Sequence, residues 1–252
     1  MRCVATEACR RSSNADTFQE LVGSETGLDL EIISEAEEAR LAVQGCAPLL
    51  SPDAVWALVF DIGGGSTELI WLRYHGSVPK ILAWTSLPCG VVSLAEHHGG
   101  DRVTRTDYEV MVRHVREMLS PFDAKTDMSA AINTGKVQML GSSGTVTTVA
   151  GVHLGLPHYI RSRVDGQRLT FCEVDAVSAR LMDMDYETRA AMPCIGPDRA
   201  DLVVAGCAIL DAIQRTWPIG GLTVADRGLR EGLLFGMMRQ DRDGQDTASI
   251  HA

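Results

Sequence analysis

Trp56-Ala-Leu-Val-Phe-Asp-Ile-Gly-Gly-Gly-Ser-Thr-Glu68 is the stretch that decides the fold. Trp56 to Phe60 is a compact apolar run of strand length, closed by Asp61 and a glycine turn. Thr67 to Leu72 reads as the returning strand of a hairpin. Between them, Gly63, Gly64 and Gly65 let a ligand approach the backbone closely and gather several N–H groups into one concavity suited to phosphate. Ser66 and Thr67 add hydroxyl donors. Asp61 and Glu68 offer the oxygen ligands that a Mg²⁺ ion or its waters take. The plain alternative is a hairpin turn that needs glycine and carries two solvated acids; acids on both sides of the turn favour the phosphate site.

A second loop, Gly141-Ser-Ser-Gly-Thr145, follows the short apolar strand Val137–Leu140 and opens a helix to Gly155. The free amides and positive dipole end of a helix start suit an anion, which makes Ser143, Gly144 and Thr145 phosphate-binding candidates. On its own the loop is equally an ordinary capped strand–helix turn. A pair of such loops in one chain strengthens both readings.

Upstream, the pattern predicts a strand within Arg2–Ala5, then a helix from about Asn14 to Gly27 that buries Phe18, Leu21 and Val22. Leu28, Leu30 and Ile32 alternate with acids, as in a half-buried strand. Ser34-x-x-Glu37 is a capping box that opens a helix to about Gly45. Glu37 thus has a structural duty. Glu38, one position on and about 100° around the helix, is the better candidate for general base.

Downstream, Thr106-x-x-Glu109 predicts a helix that Pro121 ends. Further helices are expected at 173–183, 198–216 and 228–240, with a strand at 222–225 and a frayed polar tail from Asp241. Alternating strands and helices make an α/β protein. His97-His98 near Asp101 could ligate a metal, but adjacent histidines diverge and a solvated surface is the simpler reading. Arg161, Arg163 and Arg168 form a loose basic cluster able to help hold a polyanion.

Composition narrows the classes. The 252 residues carry 23 basic and 33 acidic side chains, a net charge of −10, which argues against non-specific nucleic-acid binding. No apolar run approaches the roughly 18 residues of a membrane span. Seven scattered cysteines without a C-x-x-C suggest neither a zinc ribbon nor a disulfide framework, so a reducing cytoplasm is expected.

Read together, these stretches resemble the exopolyphosphatase and guanosine pentaphosphate phosphohydrolase (Ppx/GppA) family. The resemblance rests on Ala5-Thr-Glu-Ala-Cys-Arg10 with Asn14-Ala15, Ile32–Leu41, Val59–Leu69 and Gly141–Thr145. It continues through Pro197–Asp201 with Ala205-Gly206, and Ala225–Gly232. It implies an actin and sugar-kinase-like two-domain fold with ribonuclease-H-like halves. Residues 1–53 would be a remnant of the first domain and 54–226 the second. Residues 227–252 would be a helix packing back toward the first domain, with a polar tail.

The resemblance further implies Mg²⁺-dependent release of terminal phosphate from polyphosphate or guanosine pentaphosphate, and a homodimer when full-length. Glu38 matches the family's proposed base, and Asp61, Gly63 and Glu68 match its phosphate and metal site. Family members carry another glycine-containing phosphate loop well before the equivalent of Glu38, and none precedes Asp61 here. An N-terminally truncated member with weak or no activity alone is therefore expected. A phosphotransferase on the same fold would instead accumulate a phosphorylated product. A non-catalytic guanosine-polyphosphate-binding module would bind without releasing phosphate.

Overall fold

The computed structural model describes residues 2–75, 78–98 and 103–249. The chain divides into two compact units, Met1–Gly45 with Leu229–Ala252, and Cys46–Gly228.

In the first unit, β1 (Cys3–Ala5) leads through α1 (Glu7–Arg11) to α2 (Ala15–Thr26), β2 (Leu30–Ile32) and α3 (Glu35–Cys46). β1 and β2 pair in parallel, with Val4 opposite Glu31. Gly27 ends α2 in the left-handed conformation, φ 69°, with its N–H on the Gly23 carbonyl. The expected burial of α2 fails: Phe18 is 45% and Leu21 50% exposed. The described part of this unit supplies only a two-stranded sheet, no residue of which is fully buried, so the apolar face of α2 has no layer to close on.

The second unit is built on a six-stranded mixed sheet. β3 (Trp56–Ile62), β4 (Thr67–His75) and β5 (Val78–Leu87) form an antiparallel meander, followed by α4 (Val91–His98) and α5 (Arg105–Thr126). Neither β5 nor α4 was foreseen. The chain continues through α6 (Met128–Ile132), β6 (Val137–Ser142), α7 (Gly144–His153), α8 (Arg161–Val164), β7 (Arg168–Thr170), α9 (Phe171–Met182) and α10 (Tyr186–Ala190). It ends with α11 (Val203–Thr216) and β8 (Gly221–Ala225), before α12 (Leu229–Ser249) of the first unit. The strand order is β5-β4-β3-β6-β8-β7, with β6 parallel to both β3 and β8. A three-stranded meander extended by two parallel strands is the ribonuclease-H-like arrangement, so the fold is α/β of the actin and sugar-kinase type.

Period-two alternation explains the placement of β3. Leu58, Phe60 and Ile62 enter one large core with Leu69, Trp71, Met139 and the inner faces of α5, α7 and α11. α11 is buried along nearly its whole length, which is why it reads as apolar on every side.

The start of α5 differs from the sequence expectation. Its capping box is Thr104 with Asp107, reciprocal in both bonds, and Thr106 lies inside the helix. Glu109 instead takes two bonds from Arg215, at 2.7 and 2.9 Å. Nor does Pro121 end α5, which runs on to Thr126. Leu119 and Phe122 are anchored in the core on either side, and Phe122 meets Trp217 edge-on with centroids 6.1 Å apart. Burial there outweighs one missing helical hydrogen bond. α12 likewise continues past Asp241, where the sequence suggests a frayed tail.

Candidate functional site

β3 and the parallel strands β6 and β8 end at one edge of the sheet, where the antiparallel β4 begins. Asp61 is opposite Glu68 across the antiparallel β3–β4 ladder and beside Ser142 in the parallel β3–β6 ladder. Ser142 in turn pairs with Ala225 of β8. Directly opposed residues project to the same face, so the Asp61 and Glu68 carboxylates share one side of the sheet. Both glycine-rich loops spring from this edge, one from β3 and the other from β6.

The first loop is a tight turn, closed by the Gly63 N–H on the Ser66 carbonyl at 2.8 Å. The Thr67 hydroxyl is buried and donates to the Cys89 carbonyl at 2.6 Å. Ser66 and Ser86 both donate to Glu68 Oε1, at 2.7 and 2.8 Å, which fixes that carboxylate. The hydroxyls expected to serve as ligand donors therefore brace the turn, and the amides of Gly64 and Gly65 have no partner among the described residues.

In the second loop, Ser143 caps α7 and accepts the Val146 N–H at 3.0 Å. Gly144 and Thr145 form the first turn, whose free amides and dipole favour an anion. Gly206 of α11 allows this placement, because a Cβ there would lie 2.3 Å from Thr145 Oγ1. Arg199 was missed in the sequence. Its guanidinium carbon and one nitrogen would lie 3.5 Å from a Cβ at Gly144, and it makes no ion pair among the described residues. The Pro197-Asp-Arg-Ala-Asp201 stretch was the available signal, but a lone arginine carries no chemistry until a partner is placed beside it.

In the first unit, Ser34 Oγ accepts the Glu37 N–H at 3.2 Å, one half of the expected box. The other half is replaced: both Glu37 carboxylate oxygens take 2.7 Å bonds from Arg40. Those bonds, joined by the nearby Arg2, hold Glu37 below the usual carboxylate range. Glu38 is not an unpaired base. Arg10 Nη2 bonds Glu38 Oε2 at 2.8 Å, while Arg10 Nη1 anchors on the Ile33 carbonyl at 2.9 Å. One arginine at the end of α1 thus locks the Glu38 rotamer against the end of β2.

The other candidates separate. Arg161 is paired with Asp226, whereas Arg168 lines a cavity of about 440 Å³ with Lys136 at the start of β6, away from the loop edge. Arg161 and Arg168 thus have different surroundings. The His97 and His98 rings lie 4.8 Å apart and each about 6 Å from His114 of α5 by centroid, and Asp101 lies outside the described residues. Among the described residues, no group of three or more His, Cys, Asp or Glu side chains could hold a metal. None of the described helices is long and apolar enough to cross a membrane.

Comparison with known proteins agrees with this architecture. A sequence model of the Ppx/GppA phosphatase family matches residues 1–241. Exopolyphosphatase 2 of Mycobacterium tuberculosis is 29% identical over an alignment of 252 positions, covering 94% of this chain and 74% of that protein. The crystal structure of the Aquifex aeolicus Ppx/GppA family member superposes with a TM-score of 0.80 at 29% identity, over 95% of this chain and 74% of that one. An exopolyphosphatase from Cytophaga hutchinsonii gives 0.79 at 26% identity, over 95% and 75%.

Proposed function

The chain belongs to the Ppx/GppA phosphatase family, and from that premise we propose that it hydrolyses the terminal phosphoanhydride bond of inorganic polyphosphate or guanosine pentaphosphate, releasing orthophosphate. The observation that carries the reading is the Asp61–Ser142 register, which sets two amide-rich loops side by side at one sheet edge. An exopolyphosphatase among the relatives favours polyphosphate. A reducing cytoplasm suits cysteines that form no disulfide among the described residues, and a homodimer is the assembly we assign.

In this reading the terminal phosphoryl group is received by the Gly64 and Gly65 amides, the start of α7 and Arg199. These donors oppose the charge that grows on its oxygens in the transition state. Glu38, held by Arg10, takes a proton from water as the water oxygen bonds to phosphorus. The bridging P–O bond breaks, and its electron pair leaves on the shortened chain. Two carboxylates on one face fit Mg²⁺, which is commonly bound through one or two carboxylates. Asp61 and Glu68 would hold it, and when bound it supplies positive charge beside the phosphoryl oxygens.

The test is phosphate release from polyphosphate and from guanosine pentaphosphate, with and without Mg²⁺. Release that depends on Mg²⁺ and on Glu38 supports the reading. A phosphorylated acceptor formed from ATP, or tight binding without release, overturns it.

A further inference from the structure

The segment just after β5 grips the glycine loop through its backbone. The Val91 N–H donates to the Gly63 carbonyl at 2.9 Å. Val92 donates to the Gly64 carbonyl at 2.9 Å, and Ser93 to the same oxygen at 3.4 Å. On the near side, Thr67 Oγ1 holds the Cys89 carbonyl at 2.6 Å, and the Gly90 N–H donates to Ser93 Oγ at 2.9 Å. Gly90 sits where these meet. A Cβ there would lie 2.4 Å from the carbonyl carbon and oxygen of Gly64 and 2.5 Å from the Gly63 oxygen, all of them backbone atoms. No side chain fits at position 90 unless the loop moves.

The consequence follows from peptide planarity. None of the described peptide bonds is cis, so each C=O points opposite to the N–H of the following residue. With the Gly63 carbonyl turned onto α4, the Gly64 N–H faces away from α4. With the Gly64 carbonyl turned the same way, the Gly65 N–H does so too. We propose that Gly90 and the first turn of α4 are positioning elements for the phosphate loop, drawing two carbonyls inward so that the Gly64 and Gly65 amides are presented together to a phosphoryl oxygen. The α4 amides involved are the orphan donors of a helix start, so the loop caps the helix as the helix orients the loop. This inference rests on the phosphate reading of the loop and adds to it the part that sets the amide direction.

The experiment uses the full chain in Mg²⁺ buffer with tripolyphosphate as the probe. Tripolyphosphate should move the backbone amide NMR signals of Gly64 and Gly65 in the unaltered protein. Two variants then disturb the grip, Gly90→Ala by crowding it and Val91→Pro by deleting the N–H that meets Gly63. Proline is accommodated at a first helical position, so Val91→Pro keeps α4. Each folded variant should bind tripolyphosphate about tenfold more weakly, a change of the size expected for disturbing a charge-assisted amide contact, with melting of Val91→Pro little changed. The inference is overturned if Val91→Pro folds and binds as the unaltered chain does. It is equally overturned if tripolyphosphate shifts other signals and leaves Gly64 and Gly65 in place. If the unaltered chain binds no tripolyphosphate, the phosphate reading itself fails and this inference with it.

Discussion

Asp61 and Glu68 are directly opposed across the β3–β4 ladder, one on each side of a turn containing three glycines. Their carboxylates emerge on the same face, and Ser66 and Ser86 hold Glu68 in place. Asp61→Asn and Glu68→Gln should each keep the fold, since the apolar register on both strands is unchanged. Each should lower Mg²⁺-dependent phosphate release by on the order of a hundredfold, the usual cost of losing one preorganised electrostatic contact. Raised Mg²⁺ should partly restore Glu68→Gln, as read by titrating activity against Mg²⁺.

Removing the Glu38 carboxylate should have a different signature. Glu38→Gln should lower kcat by about 10²–10⁴, the range for a lost general base, with KM little changed and no recovery on raising Mg²⁺. Arg10→Ala should leave the base present but loosely held, with a smaller loss in kcat that Arg10→Lys partly restores. An unchanged kcat would make the Arg10–Glu38 pair a structural contact only.

Close packing behind the second loop makes a prediction about stability. Gly206→Ala places a methyl 2.3 Å from Thr145 Oγ1. Overpacking of that kind costs about 1–3 kcal/mol, seen as a lower denaturation midpoint. Because α7 must shift to relieve it, phosphate affinity should fall as well. Gly135→Ala is the control for chain flexibility: Gly135 is left-handed, φ 69°, with open space around its Cβ position, so it should cost stability alone.

His98 supplies a pH dependence. Burial, together with His97 and His114, lowers its pKa below the ordinary histidine value, while Asp107 opposes the shift. Its Nε2 is buried without a hydrogen-bond partner. Below the unfolded-state pKa of about 6.5, the unfolded chain binds a proton that the folded chain resists. Stability is therefore full above that pH and declines as pH falls through the folded pKa. The melting temperature should drop between pH 7 and 5, and His98→Gln should flatten that slope. An identical slope would assign the acid sensitivity to other groups.

What the sequence determined by itself is the set of features whose causes are local. β3 and its hairpin follow from period-two alternation and a glycine turn, the end of α2 from Gly27, and the Ser143 cap from the residue types alone. The motif string was specific enough to indicate the family and the fold. Tertiary structure decided what depends on distant partners. Pro121 stays inside α5 because Leu119 and Phe122 are held in the core. Thr67 turns from a ligand donor into a brace because Cys89 is brought to it from 22 residues away. Glu38 acquires Arg10, and Gly144 acquires Arg199, through contacts that no spacing along the chain announces. Gly90 looked like any loop glycine until the backbone of Gly63 and Gly64 was placed against it. Local propensity and periodicity are written in neighbouring residues, whereas the direction of an amide or the partner of a carboxylate is fixed only when remote segments pack.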